Sequence, residues 1–64
     1  MTKSILSDHF TKRVMFGWYS KAGLSEETAY VLIAKRFQTH DPFFLSEEAV
    51  IKHDGVSWYL EVND

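Results

Sequence analysis

The 64-residue chain has no cysteine. No disulfide can therefore staple it, and the absence fits a reducing cytosol, so a cytoplasmic setting is expected. It has one proline and three glycines, too few for a linker or a low-complexity segment, so residues 1–64 read as a single small domain. Long apolar runs are missing. The longest, Ala29–Ala34, is six residues, against roughly 20 needed to span a bilayer. Met1-Thr2-Lys3-Ser4 leads into no apolar stretch, so neither a signal peptide nor a membrane partner is expected. An excess of positive charge is missing too. Seven basic and nine acidic side chains give a net charge of −2, which argues against a purely electrostatic nucleic-acid binder.

Aromatic residues are plentiful: two Trp, three Tyr and five Phe. A domain this short buries only about 60% of the surface that its unfolded chain exposes. Large rings bury much area per residue, which is one way a small core can suffice.

The spacing predicts helix, helix, hairpin, with short connections around Ala22-Gly23 and Thr39–Pro42. Ser4 or Ser7 can cap the first helix. Leu6, Phe10, Val14, Trp18 and Ala22 then recur at a stride of four, an apolar stripe for the core. Gly17 costs about 1 kcal/mol inside a helix relative to Ala, and Val14–Tyr19 is rich in strand formers. Periodicity favours the continuous helix over a strand there.

The second helix has Ser25 as N-cap and Glu26 and Glu27 in its first turn. Lys35 and Arg36 lie near its end, and Asp41-Pro42 is a stop. Tyr30, Ile33, Ala34 and Phe37 make one face, but Ala29, Val31 and Leu32 are apolar as well. The phrase Leu-Ser-Glu-Glu occurs at Leu24–Glu27 and again at Leu45–Glu48. It reads as a recurring helix-start phrase rather than a duplication, and makes Ser46 a candidate opener of a helical turn.

Asp54-Gly55 between two apolar runs is a strong hairpin signal. A two-residue turn would pair His53 with Val56, Lys52 with Ser57, Ile51 with Trp58, Val50 with Tyr59 and Ala49 with Leu60. Ala49, Ile51, Val56, Trp58, Leu60 and Val62 would then face the core. Val50, Lys52, Ser57, Tyr59 and Glu61 would face away. Phe43-Phe44-Leu45 is either a third short strand or a loop plugging the core. The expected fold class is α+β, two helices packed on a C-terminal antiparallel hairpin or three short strands.

Catalytic signals are weak. Asp8-His9, His40-Asp41 and His53-Asp54 pair imidazole with carboxylate, but not at any metal-ligand spacing. Ser7, Ser20, Ser25, Ser46 and Ser57 read as caps, turn residues or exposed positions, with no marked base. There is no glycine-rich phosphate loop. The expectation is a non-enzyme with no metal and no cofactor.

Ala22-Gly23-Leu24-Ser25-Glu26-Glu27-Thr28-Ala29 resembles the phrase that begins many helix-turn-helix units. With a hairpin after it, the resemblance implies a winged-helix DNA binder, with Lys12, Arg13, Lys35, Arg36 and Lys52 on phosphates. No second, recognition helix follows Ala29 at the expected distance, and Glu26-Glu27 and Glu47-Glu48 would repel a DNA backbone. DNA binding is therefore the alternative.

The leading expectation rests on apolar surplus. Phe16, Val31, Phe44, Val50 and Tyr59 fall off the assigned core faces, and a cluster of such residues marks a protein partner. A protein-interaction module is expected, a small regulator or inhibitor that docks on a larger protein or forms a homodimer. An exposed strand edge is its second candidate surface.

Overall fold

The computed structural model describes residues 2–63. Its elements run β1 (Thr2–Leu6), α1 (Asp8–Lys21), α2 (Glu26–Thr39), β2 (Phe43–Phe44), β3 (Ala49–His53) and β4 (Trp58–Val62). The class is α+β, as expected. The four strands form one antiparallel sheet in the order β1-β4-β3-β2. Its shortest dimension is 16 Å, room for one sheet and one helix layer.

An N-terminal strand is the main departure from the sequence reading. Thr2–Leu6 pairs with β4, Ile5 opposite Tyr59 and Leu6 opposite Trp58. Leu6 is therefore a strand residue, and Ser4 lies inside β1. Ser7 is the N-cap of α1, its hydroxyl accepting from Phe10 N at 3.1 Å. The helix runs unbroken through Val14–Tyr19. It closes with paired bonds from Gly23 N to Ser20 O and from Leu24 N to Tyr19 O, both 3.1 Å, a Schellman arrangement.

The buried face of α1 is also not the predicted stripe. Thr11 and Met15 are buried, while Phe10 and Trp18 lie about half in solvent. Thr11 satisfies its own hydroxyl by donating to Ser7 O at 2.7 Å, which lets a polar residue occupy the core face. Ser25 caps α2 as expected, accepting from Thr28 N. Its buried residues are Ala29 and Ile33, with Phe37 half-buried, while Tyr30 and Ala34 point outward. The helix stops at His40, in the left-handed region at φ 60°, before Asp41-Pro42.

Phe43-Phe44 is a strand: Phe43 opposes Ile51 in the core, and Phe44 opposes Val50 on the far side. The second Leu-Ser-Glu-Glu forms a bend instead of a helical turn. There Ser46 Oγ accepts from Glu48 N, and Leu45 N and Ser46 N donate to Ala49 O. The core comprises Met15, Ile33, Phe43, Ile51 and Trp58, with Val14, Tyr19, Phe37 and Leu60 packed around it.

The hairpin exists, but its register is shifted by two residues. His53 opposes Trp58, Lys52 Tyr59, Ile51 Leu60, Val50 Glu61 and Ala49 Val62. The loop is Asp54–Ser57, and Val56 leaves the predicted core face for solvent at 89% exposure. The cause is the Asp54 side chain. Its Oδ1 accepts from both Val56 N and Ser57 N at 2.9 Å, so those amides bind a side chain. Gly55 takes φ 97°, which few other residues tolerate. A shift of two is even, so the assignment of faces survives.

Those two bonds hold the Asp54 carboxyl below its ordinary value of 3.8, the Ser57 amide contributing most and the Val56 amide next. A depressed carboxyl stabilises the fold above its unfolded value, and that contribution is lost as pH falls through the lower folded value. Asp54→Asn keeps the acceptor oxygen without the charge. It is expected to retain the hairpin and to flatten part of the decline in urea midpoint below the ordinary aspartate range. Asp54→Ala should lower the midpoint at every pH.

Candidate functional site

Met15 of α1 and Ile33 of α2 both pack on the face that carries Phe43, Ile51 and Trp58, and among the described residues no helix covers the other face. Alternation places Lys3 and Ile5 of β1, Tyr59 and Glu61 of β4, Val50 and Lys52 of β3, and Phe44 of β2 on that open face. One row across the strands reads Ile5-Tyr59-Lys52, and the next reads Lys3-Glu61-Val50-Phe44. Two apolar pairs, Ile5-Tyr59 and Val50-Phe44, thus sit at opposite corners. Between them Lys52 Nζ bonds Glu61 Oε2 at 3.0 Å. That carboxylate, mainly through the hydrogen bond, holds the Lys52 ammonium above its ordinary value. Lys3 Nζ lies 4.2 Å from the Tyr59 ring centroid, a cation–π contact. Ile5 and Phe44 are both about two-thirds exposed.

Three of the five residues expected to contact a partner, Phe44, Val50 and Tyr59, therefore share one surface. Phe16 does not join them. It stacks on Tyr30 between the helices, centroids 5.1 Å apart and planes at 21°. Val31 is exposed on α2, away from the sheet face. Ile5 and Lys3 join the site through β1, a strand absent from the pattern expected of the sequence. The only sequence signal was Lys3 and Ile5 alternating with Thr2, Ser4 and Leu6. β1 also ends the sheet on one side, which provides the strand edge expected as a second surface.

The five expected phosphate-contacting cations lie on different surfaces. Lys12 and Arg13 border a groove between the helices. Lys35 and Arg36 line a separate hollow with Tyr19 and Asp41. Arg36 Nη1 donates to Pro42 O at 2.6 Å, and its guanidinium lies over Phe43. Lys52 is engaged by Glu61 on the open sheet face.

Two of the three histidines and three of the five candidate serines make structural contacts. The His40 and His53 rings stack 3.7 Å apart, edge-on to Trp58, and His53 Nδ1 accepts from Gly55 N. His9 lies apart, in the interhelical groove. Among the described residues no group of three or more His, Asp or Glu is placed to hold a metal ion. Ser7, Ser25 and Ser46 each accept a backbone N–H. Among the described residues no helix is long and apolar enough to cross a membrane.

Comparisons with models of known protein families, with curated proteins and with solved structures gave no match.

Proposed function

We propose that the chain is a non-enzymatic protein-interaction module, a small regulator or inhibitor that docks a protein partner, or a second copy, on its open sheet face. The observation that carries this reading is the grouping of Ile5, Phe44, Val50 and Tyr59 on a sheet face that no element covers. Apolar corners around a central ion pair match the composition of non-obligate interfaces, which are mixed rather than uniformly greasy and favour aromatic residues. A cytoplasmic setting belongs to the same proposal and rests on the lack of cysteine. Protein docking has more support than DNA binding because Lys12, Arg13, Lys35, Arg36 and Lys52 are divided among separate surfaces.

The test combines light scattering with affinity capture from the native host after nuclease treatment. Phe44→Asp with Tyr59→Asp should weaken capture or dimerisation about ten-fold or more, the loss of 1.4 kcal/mol or more expected of a central anchor. Phe44→Asp alone, at a side chain about two-thirds exposed, should change the urea midpoint little. A strict monomer whose variant keeps every copurifying protein would sink the reading. A steep salt dependence with random duplex DNA, relieved by reversing Lys35 and Arg36, would replace it with the nucleic-acid reading.

A further inference from the structure

On the helical side, an open groove of about 410 Å³ is lined by His9, Lys12, Arg13, Phe16 and Gly17 of α1 and by Tyr30 of α2. Its apolar wall is the stacked Phe16-Tyr30 pair. Its rim is basic. Lys12 Nζ reaches across to the Phe37 ring, 5.0 Å from the centroid, and Arg13 makes no ion pair among the described residues. Asp8 and Glu27, close by in sequence, do not line it.

Gly17 is the least explained residue in the fold. It sits inside α1 without positive φ, where glycine is a poor helix former. No internal packing requires it, because a Cβ built there meets nothing within 4 Å. A glycine that neither conformation nor neighbours demand leaves the helix backbone open to approach from outside, at the groove floor.

We infer that this groove is a second binding site, distinct from the open sheet face. It takes a peptide segment in which an apolar or aromatic side chain is flanked by carboxylates. The anchor inserts beside Phe16 and Tyr30 and passes close to Gly17, while the flanking acids meet Lys12 and Arg13. Charge complementarity selects this occupant: the rim offers cations and no acid, and the wall offers rings that a purely polar anion would not use.

The probe is a short blocked peptide with one phenylalanine between paired glutamates, titrated into the full chain and followed by amide chemical shifts. Saturable shifts at Phe16, Gly17 and Tyr30 are expected, with affinity falling as salt rises. Lys12→Glu with Arg13→Glu should weaken binding about ten-fold or more. Gly17→Leu should abolish it by filling the floor while raising the urea midpoint, which separates loss of the site from loss of the fold. The inference is overturned if the glutamine-for-glutamate peptide binds equally, or if the shifts fall on Phe44, Val50 and Tyr59. It is also overturned if protein concentration alone or random duplex DNA shifts the groove and the acidic peptide does not. Groove variants should leave sheet-face capture intact, so the two sites fail independently.

Discussion

Trp58→Ala is expected to remove a large part of the chain's stability and to lower its urea midpoint steeply. Trp58 is fully buried at the start of β4 and packs against α2, the C-cap of that helix and β3. Its indole meets the Phe37 ring at 4.9 Å, His53 at 5.0 Å and His40 at 5.7 Å. Truncating a buried Trp costs about 3–5 kcal/mol through lost transfer energy and an incompletely collapsing cavity. A domain of this length holds only about 3–10 kcal/mol in total, with no disulfide in reserve. The deleted ring also removes one packing partner of the left-handed His40 and of His53, on which His40 stacks, so the end of α2 should loosen together with the hairpin. Urea titration of circular dichroism is the measurement, with Val56→Ala as control. That loop residue is solvent-exposed, and its change should stay within about 0.5 kcal/mol. A Trp58→Ala protein with a cooperative transition at the wild-type midpoint would show that the core is centred elsewhere.

The parts of the fold legible in the sequence are those governed by local chemistry. Ser7 and Ser25 cap because their hydroxyls reach an amide three residues on. Proline after Asp41 ends a helix wherever the rest of the chain lies. The two faces of the hairpin were legible because side-chain parity survives any even slip, and that parity identified Val50 and Tyr59 as outward-facing. The features that escaped depend on partners distant in sequence. β1 carries Thr2 and Ser4 on its helix side and Lys3 and Ile5 on its open side, so no apolar alternation announces it. It is a strand because β4 offers an edge. The hairpin register escaped because the Asp54 carboxylate competes for the amides a tighter turn would have used. At the candidate site, Phe44 was recognisable as surplus aromatic surface. Phe16 was also read as surplus, but its partner, Tyr30, lies on the other helix, a pairing that periodicity within α1 cannot reveal.

The face of α1 offers the sharpest contest between the two descriptions. A stride of four from Leu6 places Phe10, Val14 and Trp18 in the core. The three-dimensional arrangement instead buries Met15 completely, half-buries Val14, and leaves Phe10 and Trp18 half in water. Three- and four-residue spacings both lie on one side of a helix, so Thr11 and Met15 define as good a stripe as Phe10 and Val14. Thr11 is polar, but its place on the buried side costs little because its hydroxyl bonds to Ser7 O. Met15→Ala should therefore cost about 2–5 kcal/mol. Phe10→Ala removes a larger side chain but should cost no more than about 1 kcal/mol, because half its ring is already hydrated. Trp18→Ala should fall between them, since its indole keeps an edge contact with Phe43, 6.4 Å between centroids. Urea midpoints of the three variants give the order directly. If Phe10→Ala proved more damaging than Met15→Ala, α1 would have to be rotated about its axis. Phe16 and Gly17 would then turn away from Tyr30 and the interhelical groove would close. The same ranking therefore tests the core and the second binding site together.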